Sequence, residues 1–109
     1  MLPNAHRAII APGKVKDYLL CPAHPVGRFK VAVFATLGYT QDHWRVLERD
    51  LLLMGRTNPA TAGQPSPYGQ KYEVSGILEG PSGRRGTFVA VWLIRSAEEV
   101  PRLVTVFPG

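Results

Sequence analysis

The stretch "KYEVSGILEGPSGRRGTFVAVWLIR", Lys71–Arg95, contains the clearest secondary-structure pattern of the chain. In its first part, alternate residues would share one face of a β-strand: Tyr72, Val74, Gly76 and Leu78. A glycine-rich turn, Gly80–Gly86, leads to "TFVAVWLIR", in which both alternating sets of side chains are apolar. We therefore predict an antiparallel hairpin whose second strand lies centrally in a sheet that is covered on both sides, or nearly so.

Two flanking segments complete the second half of the chain. After "SAEEV", the segment Arg102–Phe107 predicts another strand, and short connections between consecutive strands favour an antiparallel meander. Before the hairpin, "GRTNPATAGQPSPYG", Gly55–Gly69, is dense in Gly, Pro, Ser and Thr and predicts a long loop. We accordingly expect one domain over residues 1–109, with a helical part at 1–55, a loop at 56–69 and a sheet at 70–109.

The first half of the chain favours helices. Pro12 suits the first position of a helix that ends before Pro22. One face of this helix would carry Val15, Tyr18 and Leu19. The predicted fold class is α+β, with two to three N-terminal helices packed on a three- to four-stranded antiparallel sheet.

Between the first and third helices, "GRFKVAVFATLGYT" fits two periods. Helical spacing aligns one stripe: Val26, Lys30, Val33, Phe34 and Leu37. Strand spacing aligns Phe29, Val31 and Val33 instead. We favour the helix because Gly38 fits its C-terminal cap. Thr40 is then expected to cap the third helix, "QDHWRVLERDLLLMG", whose apolar residues recur at three- and four-residue steps.

Composition restricts the function classes. The chain has 109 residues, a single cysteine, Cys21, and no apolar run approaching the roughly 20 residues of a membrane span. A lone thiol forms no internal disulfide, and the three histidines lack the spacing of a metal site. We therefore expect no metal, no cofactor and no membrane contact, and the lack of a signal peptide favours the cytoplasm.

The charge balance indicates a possible class of partner. Thirteen Lys and Arg against eight Asp and Glu give a formal net charge of +5. Because the excess is spread over both halves of the chain, any basic surface has to be assembled by folding. Such a surface attracts polyanions such as RNA, or an acidic protein that masks it.

The segment "YLLCPAHPVGRFK", Tyr18–Lys30, places a titratable ring between two prolines and close to two cations. His24 could act as a general acid or base near neutral pH, while Arg28 and Lys30 bind phosphate. The alternative is that His24 fills a turn and Lys30 extends its charged end from the edge of a helix.

A second group of basic and aromatic residues lies on or beside the predicted sheet: Lys71, Tyr72, Arg84, Arg85, Arg95 and Arg102. Cations on an antiparallel sheet, with an aromatic ring nearby, can bind an RNA backbone and stack a base. Cleavage of RNA without a metal needs a base for the 2′-hydroxyl, a donor for the leaving oxygen and cations for the developing charge. Core packing is the alternative for Tyr72, and simple solvation is the alternative for Arg84 and Arg85.

Four segments together resemble a little-characterised bacterial domain family: "LPNAHRAI", "KVKDYLLCPAHPVGRFKVAVFATLGYT", "GQKYEVSGILEGPSGRRG" and "VWLIRSAEEVPRLVTVFP". Its members occur as stand-alone small proteins, often encoded beside a short partner protein. They also occur as C-terminal domains of polymorphic toxins of the filamentous-haemagglutinin and Rhs-repeat type. The resemblance implies a toxin module. The predicted order, helices followed by an antiparallel sheet, is similar to that of small ribonuclease toxins of the RelE and barnase type.

On this resemblance, the matched polar positions are candidates for function: Lys14, His24, Lys30, Tyr72 and Arg102. The leading hypothesis is a cytoplasmic, metal-independent ribonuclease toxin that is neutralised by a small antitoxin-like partner. His24 would be the acid or base, Lys30 and Arg102 would hold phosphate, and Tyr72 would orient or stack the substrate. Further substrate-binding candidates are Lys14, Arg28, Lys71, Arg84, Arg85 and Arg95. The alternative is a non-enzymatic accessory or antitoxin-like module that docks an acidic partner or nucleic acid.

Overall fold

The computed structural model describes residues 1–25 and 28–109. Within these ranges, a 3-10 turn (Ala5–Arg7) precedes the following elements: α1 (Pro12–Lys14), a π-helical segment (Val15–Leu19), α2 (Arg28–Thr36), α3 (Trp44–Thr57), β1 (Ala60–Ser66), β2 (Gly69–Glu79), β3 (Arg85–Arg95) and β4 (Arg102–Pro108). The described strands form one antiparallel sheet in the order β1-β2-β3-β4. The predicted α+β class, with helices before an antiparallel sheet, is confirmed.

The β2–β3 hairpin pairs along its whole length, from Gly69 opposite Arg95 to Glu79 opposite Arg85. The alternating apolar residues predicted for one face are largely buried on it: Val74, Leu78, Phe88, Ala90 and Trp92. We call this the inner face and the opposite one the outer face. β3 lies between β2 and β4, as the predicted central position requires. Its outer-face residues Val89, Val91 and Leu93 are half-buried, so the outer face is covered less completely than the inner face. The helices α2 and α3 pack on the inner face, against Phe88 and Trp92 respectively.

The core lies between the helices and the inner face of the sheet. The ring of Phe34 in α2 stacks on that of Phe88, with centroids 5.2 Å apart and planes 13° from parallel. Trp92 is fully buried. A Cβ on Gly55 of α3 would lie only 3.0 Å from its indole. The absence of a side chain at this position therefore lets the helix approach the indole closely.

The end of α2 shows the predicted glycine cap. Gly38 has a positive φ of 93°. The N–H of Tyr39 donates to the carbonyl of Phe34 (3.1 Å), and that of Gly38 donates to Ala35 (2.9 Å). This pair of bonds is the Schellman pattern that glycine favours. The helical alternative for this segment is therefore confirmed over the described residues, whereas Val26, expected on its stripe, lies outside them.

Two boundaries differ from the sequence prediction. The predicted loop at 56–69 contains β1, which pairs with β2 from Ala60 opposite Val74 to Ser66 opposite Gly69. As an edge strand with an irregular register, β1 tolerates its Pro and Gly, so pairing outweighs local composition. Thr40 is not the N-cap of α3, because a turn separates it from His43, the residue that precedes the helix.

The helix predicted from Pro12 changes its period after one turn. The N–H of Leu20 donates to the carbonyl of Val15 (2.9 Å), five residues back, which is a π-type bond. Val15 and Leu19 are fully buried. Lys14 and Tyr18, also four residues apart, both line a groove beside β4. The prediction that Tyr18 belongs with the core residues of this helix is only partly right, since its ring borders the core and also faces the groove.

Candidate functional site: a groove along β4

β4 is an edge strand of the sheet, and segments from the first part of the chain contact its free edge. Ile9 forms a short parallel bridge with Arg102. The hydroxyl groups of Tyr18 and Thr105 share a hydrogen bond of 3.0 Å. The ammonium group of Lys30 donates to the carbonyl of Val106 at 2.9 Å. Together these contacts satisfy polar groups that an edge strand would otherwise present to solvent or to another chain.

A groove with a volume of about 810 Å³ lies between the π-helical segment and β4. Its lining comes from residues 11–18, from the turn at His24 and from β4: Ala11, Gly13, Lys14, Asp17, Tyr18, His24, Val104 and Thr105. We call it the β4 groove. Its volume lies within the range usual for small-molecule binding sites.

Tyr18 is the central contact of the β4 groove. Its ring meets the ring of His24 edge-on, with centroids 4.9 Å apart and planes at 69°. The Nζ atom of Lys14 lies 5.6 Å from the centroid of the same ring. Because the Tyr18 hydroxyl is bonded to Thr105, the phenol ring has a defined orientation and gives His24 and Lys14 a common packing surface.

His24 is placed by a tight turn. Its N–H donates to the carbonyl of Cys21 at 3.3 Å, with Pro22 at the second position of the turn. Proline suits this position because its φ is already restricted to the required range. The carbonyl of His24 accepts the N–H of Arg28, the first residue of α2, at 3.1 Å. His24 therefore occupies a turn, as one alternative expected, and also lines a groove, as the other required.

A smaller pocket of about 190 Å³ adjoins the β4 groove at the start of β4. Its lining is Ile9, Ala11, Lys14, Leu93, Arg95, Arg102, Leu103 and Val104. We call it the arginine pocket. Because Ala11, Lys14 and Val104 line both cavities, the arginine pocket continues the β4 groove.

One carboxylate faces the two guanidinium groups of the arginine pocket. Glu98 lies 3.2 Å from Nε of Arg102 and 3.8 Å from a terminal nitrogen of Arg95. Each guanidinium carries five N–H donors, so a single carboxylate cannot engage all the donors of both. The arginine pocket can therefore accept an anion while Glu98 holds the two side chains close together.

The structure brings together only part of the predicted site. Four of the predicted residues line the β4 groove or the arginine pocket: Lys14, His24, Arg95 and Arg102. Lys30 is engaged with the backbone of β4. Tyr72 lies on the inner face and packs against the core, as its alternative interpretation expected.

The remaining predicted cations lie elsewhere on the surface. Arg28 is exposed at the start of α2, and Arg84 is exposed in the β2–β3 turn. Arg85 pairs with Glu79 at 2.9 Å, and this hydrogen bond raises the pKa of the Arg85 guanidinium. Lys71 is exposed on the outer face of β2.

Sequence reasoning missed Tyr18 and Thr105 as parts of the site. The four-residue spacing of Lys14 and Tyr18 was a usable signal, because residues at this spacing share one side of a helix. Thr105 is a polar residue in the apolar run "LVTVF", but only the fold shows that it meets Tyr18, 87 residues earlier in the chain.

Residues 1–25 and 28–109 contain neither a metal cluster nor a membrane-spanning helix. No three His, Cys, Asp or Glu side chains in these ranges lie close enough together to hold a metal ion. No helix in the described part of the chain combines the length and apolar character needed to cross a bilayer.

Comparisons with known proteins identify relatives at the level of family and fold. The family DUF6883, a domain of unknown function, matches residues 1–109. A comparison with curated proteins found no match. Among solved structures, the chain is similar to one chain of a contact-dependent growth inhibition toxin–immunity protein complex from Klebsiella pneumoniae 342. The TM-score is 0.73 with 18% identity, and the similarity covers 95% of each chain. At this identity the similarity shows a shared fold.

Proposed function

We propose, from the premise that this chain belongs to the DUF6883 family of domains of unknown function, that it is a toxin-like domain that cleaves RNA in the β4 groove. One observation carries the proposal: His24 and Lys14 converge on a groove that continues into the pocket of Arg102. A titratable ring beside cations can move a proton and stabilise a charged phosphate. The fold shared with a chain of a toxin–immunity complex supports a toxin-like role.

The proposed reaction uses the 2′-hydroxyl of the RNA itself as the nucleophile. The His24 imidazole takes the proton of this hydroxyl, and the 2′ oxygen forms a bond to the adjacent phosphorus. The bond between phosphorus and the 5′ oxygen of the next nucleotide breaks, and that oxygen takes a proton from water. The products are a 2′,3′-cyclic phosphate and a 5′-hydroxyl end, and no metal takes part in the proposed steps.

The surrounding residues have separate roles in this proposal. Lys14 and Arg102 stabilise the negative charge that develops on the phosphate. Tyr18 is a positioning residue, since its ring touches His24 and Lys14 while Thr105 holds its hydroxyl. Lys30 is assigned to the β4 edge rather than to phosphate, because its ammonium group is bonded to the Val106 carbonyl.

The test is cleavage of a single-stranded RNA by purified protein in the presence of EDTA. General acid–base catalysis contributes about 10²- to 10⁴-fold, so His24→Ala should lower the rate by about 100-fold or more. The matched control is His43→Ala, because His43 is exposed before α3 and its side chain makes no capping bond. Both variants should retain the melting temperature of the unaltered protein to within a few degrees.

Three results would contradict the proposed reaction. A folded His24→Ala variant that cleaves RNA at the normal rate removes His24 from the chemistry. Cleavage of a strand with a 2′-deoxynucleotide at the scissile position removes the 2′-hydroxyl from it. Products with 3′-hydroxyl ends would also exclude the proposed attack, since transfer to the 2′ oxygen leaves phosphate on the 3′ side.

A second candidate function is a non-enzymatic module that binds a partner protein. The observation in its favour is that the structural neighbour belongs to a complex of a toxin and an immunity protein, so either kind of chain can be the source of the shared fold. Expression in bacterial cells separates the candidates. Growth arrest that depends on His24 supports the toxin, whereas harmless expression that protects cells from a toxin encoded beside it supports the binding module.

A further inference from the structure

Tyr68 is an aromatic residue without a packing role. It lies in the turn between β1 and β2, and 80% of its surface is exposed, more than for any other large apolar side chain in the described residues. Burial of an aromatic side chain is a large source of stability, so an almost fully exposed ring contributes little to the fold. The ring is therefore available for contact with a ligand.

The turn that carries Tyr68 is anchored at several points. The N–H of Tyr68 donates to the Ser66 hydroxyl at 3.2 Å. The carbonyl of Tyr68 accepts the N–H of Ser96 at 2.9 Å, and the Ser96 hydroxyl donates to the carbonyl of Pro67 at 2.9 Å. The exposed ring thus projects from an ordered backbone, which lowers the entropy cost of binding a ligand on it.

These bonds also place Tyr68 beside the arginine pocket. Its partner Ser96 directly follows Arg95, which lines that pocket. Arg95 pairs across the sheet with Gly69, the residue that directly follows Tyr68. The Tyr68 ring, the arginine pocket and the β4 groove therefore lie next to one another, in this order, at one end of the sheet.

A row of side chains crosses the outer face at the same end. Lys71 of β2 pairs with Leu93 of β3, and Leu93 pairs with Arg102 of β4. Because neighbouring strands lie about 4.8 Å apart, the backbones of Lys71 and Arg102 are separated by about 10 Å. Lys71 and Arg102 thus flank the partly buried Leu93, and Lys71 follows Tyr68 by three positions.

We propose that a single-stranded RNA runs from the β4 groove through the arginine pocket onto this end of the outer face, where Tyr68 stacks one of its bases. Lys71, Arg95 and Arg102 contact the phosphates along the way. An exposed aromatic ring beside cations is the combination that single-stranded nucleic acids bind, because every base has a face to stack and every linkage carries a charge. This inference rests on the proposed function and adds a subsite outside the β4 groove.

The chemistry of the patch favours RNA over an acidic protein. A nucleic acid uses both features of the patch, since a base stacks on the ring while the neighbouring linkages meet the cations. Glu98 contacts Arg95 and Arg102 and so limits simple charge attraction at the patch. Stacking on Tyr68 then supplies a part of the affinity that does not depend on charge.

The test measures binding without cleavage. The probe is a 12-nucleotide 2′-O-methyl RNA, which has no free 2′-hydroxyl, and binding is followed by fluorescence anisotropy. Tyr68→Ala should weaken binding by about 5- to 100-fold, the range found for the loss of a stacked base. Tyr68→Phe, which keeps the ring, should stay within about twofold of the unaltered protein.

The phosphate contacts have their own readout. Each contact with a single strand contributes about 0.7 to the slope of log affinity against log salt concentration, so Lys71→Gln should reduce that slope by about 0.7. The matched control is Arg45→Gln, an exposed arginine at the start of α3, which should leave the slope unchanged.

The possible results separate this inference from the proposed reaction. Unchanged affinity of Tyr68→Ala for the 12-mer overturns the subsite, as does no binding of the 12-mer by the unaltered protein. A Tyr68→Ala variant that loses only the binding of a partner protein also overturns it. Tyr68-dependent binding by a protein that leaves unmodified RNA intact supports the subsite and refutes the cleavage.

Discussion

Replacing Lys30 by methionine distinguishes a residue that stabilises the β4 edge from one that serves the substrate. The ammonium group donates to the Val106 carbonyl at 2.9 Å, and Lys30 is partly buried. Hydrogen bonds that involve a charged group contribute about 1.5–3 kcal/mol to stability. Because partial exposure lets water replace the lysine in the variant, we expect a loss near the lower end, about 1.5 kcal/mol.

This loss converts into a measurable shift in melting temperature. Unfolding entropy is about 2.1 cal/mol/K per residue, which for 109 residues predicts that Lys30→Met melts about 6–7 °C lower. Thermal and urea unfolding, followed by circular dichroism, measure this directly. Lys16→Met is the control, because Lys16 is exposed on the π-helical segment, and its melting temperature should change by less than about 2 °C.

Activity provides the second part of the same experiment. At 20 °C, where both variants remain folded, Lys30→Met should cleave RNA within a few-fold of the unaltered protein, since the ammonium group is engaged with the backbone. A variant that keeps its melting temperature but loses cleavage by about 100-fold or more would refute this reasoning. Lys30 would then belong to the phosphate site after all.

Two further predictions follow from individual charged or titratable groups. Burial and the hydrogen bond to Asp50 raise the pKa of the Tyr39 hydroxyl above its ordinary value, so the stability that this group contributes is complete below about pH 10 and is lost as the pH rises beyond it. In urea unfolding between pH 8 and 11, the free energy of unfolding should fall with pH, and the fall should be shallower in Tyr39→Phe by up to about 1.4 kcal/mol per pH unit. Parallel curves for the two proteins would exclude Tyr39 as the cause. Glu98→Gln removes the carboxylate that contacts Arg95 and Arg102, so it should tighten binding of the 2′-O-methyl RNA several-fold. The control, Glu48→Gln on α3, should leave the affinity unchanged. Weaker binding by Glu98→Gln would mean that the ion pairs are needed to place the two arginines.

Much of the sheet and of α2 could be predicted because their signals are local. The alternation from Tyr72 to Leu78 identifies the inner face of β2, since side chains of a strand point to opposite faces in turn. Gly38 marks the end of α2 because few other residues adopt its positive φ. β1 escaped prediction for the opposite reason: its Pro and Gly favour a loop, and only the pairing with β2 makes the segment a strand.

The candidate site was predictable only in part. His24 was identified from its titratable ring and its two flanking prolines, and Arg102 from its charge at the start of a strand. Spacing alone could not show which of Tyr72 and Tyr18 packs in the core and which lines a groove. Each tyrosine recurs with apolar residues at the period of its own element. The strand register turns Tyr72 to the inner face, whereas the π-type turn brings Tyr18 to the groove beside Lys14.

The sequence by itself determined the α+β class, the hairpin with its apolar inner face, and a set of dispersed cations without a continuous basic run. Only the tertiary structure decided which of these residues meet. The reason is physical: periodicity reports the conformation of neighbouring residues, whereas the β4 groove joins Tyr18 to Thr105 across 87 positions and Lys30 to Val106 across 76. The packing of the first part of the chain against the last strand decides which cations share a cavity and which only bind the edge of that strand.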